Sequence, residues 1–537
     1  MSGDPGPPTL SAVAAGNAFG LYPASDFRLT DGLCPDCPTV RQGLWYFRHE
    51  TIAVPGDGVA VASFARGVAF TDDLRSWLVG RAPGTPPEHP PLVWVAAPDV
   101  VGGARLSADA AALAHPAGAL RFSLTPKIPL NRSYFDASSA TFFRQRTVKV
   151  RGTIAGDAIV ARTLWPEDFR LDSAPPLRPL AAEVPVAEAL RSLIRADPAG
   201  GARSPYAAWT VWQREPAREA VPAGRAVLGI MVNGAQGDDD EAHAGHFALV
   251  TGRTRADGAI GDWLVNNFYS LDTESEKGIL AAPVPLDNYL ADLNSGQNWY
   301  RPSHMLVAVL AGEEASALVQ AALNRVYNQF WRHQLVYRHA SMNCASISVD
   351  VLRALGWDVP ARGPASPLLA MLGFPWFALR ERSIAKARVA FDYLNEDQTR
   401  LMPAAAFEDA GASLLGLAAG SAGPAPAGTL ARLLARDVEA IAFVRFPQFP
   451  SSRVFGDAPA VTPWEFHARV PAEPGMAQII PVPPRPFPDE LRDPDLLPVR
   501  RPWSDYVAAF WGLLLVVGIP LYLYGQWKRW RGRSAQP

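Results

Sequence analysis

The stretch Ser341-Met342-Asn343-Cys344-Ala345-Ser346-Ile347-Ser348-Val349-Asp350-Val351-Leu352-Arg353-Ala354-Leu355-Gly356 decides how the chain is read. Ile347, Val351 and Leu355 recur every four positions and Cys344 falls one turn ahead of them, so the spacing predicts a helix with its thiol turned inward. Asn343 reads as the N-cap and Gly356 as the C-terminal stop. A cysteine in the first turn of a helix meets unpaired backbone N–H groups and the positive end of the helix dipole, both of which favour thiolate. A small apolar cysteine packed at a helix start fits the same pattern.

Upstream, the pattern alternates between strands and polar loops. Ala226 to Val232 reads as a buried strand, followed by a polar loop from Asn233 to Gly245 and a second strand from His246 to Arg253. The turn Ala256-Asp257-Gly258 leads to a third strand from Asp262 to Tyr269, and His304 to Leu310 reads as a fourth. Glu313 to Phe330 has helical periodicity and precedes the Cys344 helix.

Cysteine catalysis needs a base within hydrogen-bond reach of the sulfur and a polar group that holds the base in one tautomer. His246 opens a strand, which fixes an imidazole rigidly, and Asn266 or Asn267 on the next strand could meet its far nitrogen. Adjacent strand residues face opposite sides, so only one of the two asparagines shares the histidine's face. The run Gly245 to Gly252, a second polar-bearing strand and the Asn343-Cys344 helix start together resemble the circularly permuted branch of the NlpC-type papain-like fold, in which the histidine strand precedes the cysteine helix. That branch includes bacterial peptidases and amidases, lecithin:retinol-type acyltransferases and a bacterial domain family with a similar Asn-Cys helix start. The resemblance covers roughly residues 205 to 360. It implies Cys344 as nucleophile, His246 as base and Asn266 or Asn267 as the orienting residue.

His243 is an alternative base, three residues before His246. The loop Asp238-Asp239-Asp240-Glu241, with His243 and His246, also offers carboxylates and imidazoles to a divalent metal, although no HExxH or EF-hand spacing is present. His304, His333 and His339 read as ordinary histidines. His339 and Tyr337 are close enough in sequence to Cys344 to line the same cleft.

The 537 residues exceed one domain, and 50 basic against 52 acidic residues leave a formal charge of -2. With no basic run before the last few residues, nucleic acid is not an expected partner. No nucleotide fingerprint occurs, so no organic cofactor is expected. Of 3 cysteines, Cys34 and Cys37 form one CxxC with no second half, which reads as a local disulfide or two plain thiols. Met1 to Ser25 lacks the basic and apolar regions of a signal peptide. By contrast, Tyr506 to Trp527 carries no charge and is long enough for one bilayer span. Aromatic residues Trp503, Tyr506, Tyr522, Tyr524, Trp527 and Trp530 flank it, Arg500 and Arg501 precede it, and Lys528, Arg529, Arg531 and Arg533 follow. The side of the membrane that carries the body is left open by these charges.

The expected class is α+β. Residues 1–42 form an irregular lead-in and 43–200 a β-rich domain, a small barrel or sandwich with strands near Leu44 to Phe47, Val59 to Ala62, Leu92 to Val95, Leu120 to Leu124 and Val148 to Ile154. Residues 201–360 form the papain-like domain that the resemblance implies. A helical or irregular region, 361–470, then leads to a proline-rich stalk, 471–505, a transmembrane helix, 506–527, and a basic tail, 528–537. The expected function is that of a membrane-anchored thiol hydrolase or acyltransferase acting on a peptide, cell-wall or lipid acyl substrate. The alternatives are a catalytically inactive membrane-tethered scaffold and a metal-dependent hydrolase built on the Asp238 to His246 loop.

Overall fold

The structure, a computed structural model, describes residues 19–23, 51–56, 59–82, 85, 88–127, 134–195, 204–216, 220–234, 245–269, 281–332, 334–364, 366–421, 427–451, 510–512 and 514–533. Cys34, Cys37, Leu44 to Phe47, Asp238 to Glu241, His243, His333 and the stalk lie outside the described residues.

The described chain is mixed α and β. Its largest sheet is antiparallel throughout and is built from β9 (Ala207–Gln213), β10 (Ala226–Asn233), β11 (His246–Arg253), β12 (Leu264–Asn267), β13 (Ala282–Pro285), β14 (Ser303–Leu310) and β15 (Val438–Phe446). The spatial order is β13-β12-β11-β10-β14-β15-β9. Both faces are covered, which is why β10 and β14 read as continuous apolar runs rather than alternating ones. The region 361–470 therefore supplies a strand, β15, as well as helices.

Register fixes the faces. Leu306, Ile230, Leu249 and Asn266 stand opposite one another and share one face, while Ser303, Asn233 and His246 share the other. The first face is packed by α5 (Glu314–Trp331), α6 (Cys344–Ala354) and α10 (Pro403–Ala419). Ser316 of α5 donates to the Val227 carbonyl at 2.8 Å, and Gln320 pairs with Asn266. Gly411 of α10 lets that helix approach closely, since a Cβ there would lie 2.7 Å from both Leu190 and Leu306. Leu190 belongs to α3 (Val186–Arg195), whose Arg191 pairs with Glu408 of α10. The helix α11 (Thr429–Asp437) leads into β15.

The second face meets a closed five-stranded barrel, β4 (Asp99–Leu106), β5 (Ala112–His115), β6 (Gly118–Leu124), β7 (Val148–Ala155) and β8 (Ala158–Pro166). Its order β4-β5-β6-β8-β7, with β6 and β8 parallel and α2 (Ala137–Arg144) between β6 and β7, is the Greek-key arrangement of an OB-type barrel. Residues 99–166 of the expected β-rich segment 43–200 thus close as a barrel. A further sheet of β1 (Phe19–Pro23), β2 (Thr51–Pro55) and β3 (Val93–Ala96) lies with α1 (Phe70–Gly80), whose Asp73 is buried against Arg325 of α5. The strand expected over Val59 to Ala62 is a single bridge, Val61 with His89. Pro90 and Pro91 follow His89 and supply no N–H to continue the pairing.

Barrel and sheet are joined by buried charges. Asp287, on α4 (Leu286–Ala291), receives Arg151 Nε at 2.9 Å and Lys149 Nζ at 2.7 Å. Burial would raise its carboxyl, but the charges of Arg151 and Lys149 outweigh burial and hold it below its ordinary value. Arg162 Nε meets Asp292 at 2.5 Å, while the other carboxylate oxygen of Asp292 accepts from the Asn294 and Ser295 amides.

At the C-terminus a π-helical turn, Leu514–Gly518, runs into α12 (Ile519–Arg533). No helix among the described residues is long and apolar enough to cross a membrane; residues 506–509 and Leu513 of the expected span lie outside them.

Removing one partner of a buried pair leaves the other charge uncompensated, so Asp287→Ala is expected to cost about 3–5 kcal/mol. Urea unfolding followed by tryptophan fluorescence measures it, with Asp157→Ala, which removes an exposed ion pair with Arg121, as the neutral comparison.

Candidate active site

The helix α6 begins as its sequence predicts. Asn343 is extended, and its Oδ1 accepts from the Ala345 and Ser346 amides at 2.9 Å each. Ser346 returns the bond by accepting from the Asn343 amide at 2.7 Å, which completes a capping box. Asn343 Nδ2 also donates to the His339 carbonyl, tying the preceding loop to the cap. Helical residues end at Ala354, and Gly356 follows with φ +84°.

The cap brings Cys344 to the start of β11. The ladder between β11 and β12 ends at Leu249 and Asn266, and above that pair the strands are no longer registered to each other. There the Phe247 amide, with the Ala345 amide and the Tyr337 hydroxyl, favours a negative charge on the Cys344 sulfur. Gly245 makes the approach to β11 possible. It has φ +88°, and a Cβ at that position would lie 2.2 Å from the Asn233 carbonyl oxygen.

His246 is therefore the strand residue before the Phe247 amide. Its ring is buried, 6% exposed, and its Nε2 has no hydrogen-bond partner among the described residues. Of the two asparagines, Asn267 interacts with the His246 ring. Asn266 points to the helical face, where it donates to the Leu249 carbonyl at 3.3 Å and to Gln320 Oε1 at 3.0 Å. The two-residue period of β12 has separated a site residue from a core residue.

Two groups join the site that the sequence did not single out. Arg301, 4% exposed, donates to Gln297 Oε1 at 2.8 Å and to the Gly234 carbonyl at 3.0 Å, and its charge is felt by Cys344, His246 and Tyr289. Among the described residues no carboxylate pairs with it. Tyr289 stands 6.2 Å from the His246 ring and donates to Asn233 Oδ1 at 2.5 Å; Asn233 in turn donates to Ser303, and Ser303 to Asn298. In the sequence Arg301 is one cation in a loop before β14, and nothing in its spacing distinguishes it from an exposed arginine.

Burial dominates the electrostatics. It pushes the Cys344 thiol above its ordinary value despite the Phe247 amide, Arg301, the Ala345 amide and Tyr337, all of which favour the thiolate. The helix-start argument for a depressed thiol is therefore overruled by desolvation. Burial, then the Arg301 charge, lowers His246 to about 3, against a smaller opposing effect of Asn267. The resting pair is a neutral thiol and a neutral imidazole.

His339 lies edge-on to Tyr337 at 5.2 Å, so both flank the Cys344 approach. His304 faces away, stacked on Phe443. The acidic loop and His243 lie outside the described residues, and among the described residues no group of three or more His, Cys, Asp or Glu could hold a metal. No protein-family model matches this chain, and no curated protein or solved structure does so either.

Burial lowers His304 to about 3 as well. In the unfolded chain both rings take up protons as pH falls through about 6.5, whereas in the fold neither does until about 3. Stability contributed by the neutral rings is therefore present above pH 6.5 and is lost as pH falls between those values, by about 1.4 kcal/mol per pH unit per ring. His304→Phe keeps the stack on Phe443 and is expected to remove one ring's share of that slope in urea titrations between pH 6.5 and 4.

Proposed function

We propose that the chain is a papain-like thiol hydrolase or acyltransferase, held at a membrane by its apolar C-terminal run and acting on an ester or amide carbonyl. One observation carries this reading. The Phe247 amide favours the thiolate of a sulfur at a capped helix start, and the strand residue before Phe247 is His246, a buried imidazole whose Nε2 has no partner among the described residues. A strand bearing the histidine and a later helix bearing the cysteine suit the permuted arrangement that the sequence resembles.

In this reading the neutral pair is the competent resting state. The Cys344 proton passes to His246 as the sulfur bonds to the acyl carbon, and the carbonyl π electrons move onto oxygen. The Tyr337 hydroxyl and the Arg301 charge would stabilise that developing negative charge in a site of low dielectric. Collapse of the tetrahedral species breaks the bond to the leaving alcohol or amine, which takes the proton from His246 and leaves a thioester. Water in a hydrolase, or a second alcohol or amine in a transferase, then attacks the thioester; its proton goes to His246 and from there back to the departing sulfur. Asn267 is a positioning residue for the imidazole. Peptide, cell-wall and lipid acyl carbonyls all fit this chemistry. A buried thiol with a raised pKa is also what an inactive scaffold would carry, so the test must separate the two.

The full-length protein, incubated with p-nitrophenyl acyl esters and analysed by mass spectrometry, is expected to carry a hydroxylamine-labile acyl group on Cys344. Cys344→Ala abolishes it, and His246→Ala slows acylation roughly 10²–10⁴-fold. If Cys344 neither acylates nor alkylates faster than a buried core thiol, the scaffold reading replaces the enzyme.

The two asparagines are expected to divide. Asn266→Ala strands Gln320 and costs about 1–3 kcal/mol of stability with little change in acylation rate. Asn267→Ala lowers the rate and alters its pH profile with a smaller loss of stability. The reverse outcome would remove Asn267 from the site.

A further inference from the structure

Beside the Cys344 helix stands a helical hairpin, α7 (Pro367–Arg380) and α8 (Ile384–Asn395), closed at its base by the Ser366 amide on the Leu394 carbonyl. From Pro367 to Leu379 it carries no charged residue. A surface helix of a water-soluble protein turns its apolar stripe inward and its charges outward. Here Leu368, Leu372, Trp376 and Leu379 recur along one stripe and are exposed by 61%, 58%, 52% and 81%, with Leu369, Met371 and Ile384 beside them. Only Ala370 and Phe374 of α7 are buried. An apolar surface of this extent marks an interaction site.

The kind of partner follows from what borders the stripe. Its C-terminal end is basic, with Arg380, Arg382, Lys386 and Arg388 against two acids, Glu381, which meets Arg380 and Lys386, and Asp392, which pairs with Arg388. Arg380 lies 4.8 Å over the Trp376 ring. Aliphatic residues on one side, an indole at the margin and basic heads beyond it form the pattern of a helix lying in a lipid interface. With 14 residues, α7 is too short to cross a bilayer and of a length to lie in its plane. The hairpin is also continuous with the apolar C-terminal run. A Cβ on Gly512 would lie 3.9 Å from Phe374, and beyond that contact Phe510, Trp511, Leu515, Leu521 and Leu523 are themselves exposed. The C-terminal run therefore leaves the stripe uncovered while meeting α7 at its buried Phe374.

We infer that the α7–α8 hairpin is a lipid-docking element, its Leu368 to Leu379 stripe seated in the acyl region of an anionic bilayer surface alongside the C-terminal run. The body is then held against the membrane at two places rather than suspended from a tether. Arg400, just past the hairpin, pairs with Asp350 at 2.8 Å and donates to the Ser341 carbonyl, so the docked hairpin is coupled rigidly to the helix that carries Cys344. This surface stands whether or not Cys344 is catalytic.

The test uses the full-length protein in vesicles of palmitoyl-oleoyl phosphatidylcholine and phosphatidylglycerol containing a phosphatidylcholine with a diazirine in its acyl chain. After photolysis and peptide mapping, lipid adducts are expected on Leu368 to Leu379 as well as on the C-terminal run. Leu368→Glu, Leu372→Glu and Leu379→Glu made together change only exposed positions, and are expected to remove the hairpin adducts while keeping the C-terminal ones and the melting temperature. Cys344→Ala is expected to leave all adducts in place, which separates this surface from the chemistry. Adducts confined to the C-terminal run overturn the inference, whether the hairpin is labelled by a water-soluble carbene or cross-linked to a second copy of the chain.

Discussion

The candidate site is organised around the approach of the Phe247 amide to the Cys344 sulfur, whose thiolate that amide favours. That approach exists only because β12 stops pairing with β11 at Asn266 and Leu249; a continued ladder would compete for the edge on which the sulfur sits. The gap must be filled from a particular direction, and the capping box at Asn343 aims the helix start at it. Gly245 brings the chain into β11 through a backbone conformation that a side chain would obstruct. Three local devices, a strand end, a cap and a glycine, thus converge on one sulfur atom.

The same convergence sets an electrostatic conflict. Two backbone amides, a phenol and a guanidinium all favour a thiolate, yet enclosure in protein opposes charge more strongly than they support it. Arg301 is subject to the same penalty. Burial pulls its guanidinium down, while Tyr289 and Cys344 are among the groups that support its charge. A buried cation with no carboxylate beside it among the described residues is costly, and under the proposed function its charge would be compensated when negative charge develops on a bound carbonyl. At rest, enclosure keeps the thiol neutral despite these groups.

Much of the frame was legible in the residues. Helical spacing and capping signals around Cys344 are local, and the structure keeps them; β11 and β12 fall within the runs that alternation and apolar content mark, and β10 and β14 each exceed theirs by one residue. What remained hidden depends on partners distant in sequence. The choice between Asn266 and Asn267 follows from register, because Leu249 stands opposite Asn266 and that face is the one α5 covers. Arg301 and Tyr289 reach the site through a loop and a short helix with no periodicity to read. The direction of the thiol shift could not be read locally either, since the helix-start effect is encoded nearby and burial is not. Val59 to Ala62 shows the converse case: a good local strand pattern fails when its partner runs into Pro90 and Pro91.

The sheet also shows why the site belongs to a longer piece of chain than the segment carrying its two candidate reacting groups. β14 is buried on both faces and pairs on one side with β15, which lies more than a hundred residues downstream and in turn pairs with β9. Without β15, the edge of β14 would present unpaired backbone groups beside Leu306 and Val307, a template for aggregation. α10, from the same later region, covers Leu306 and is pinned to α3 through Glu408 and Arg191. The barrel is joined to this body through Asp287 and Asp292, both fully buried. The placement of His246 at the start of β11 and of Cys344 at the start of α6 is therefore a property of the whole described body, because each element that fixes one of them is itself fixed by a segment from elsewhere in the chain.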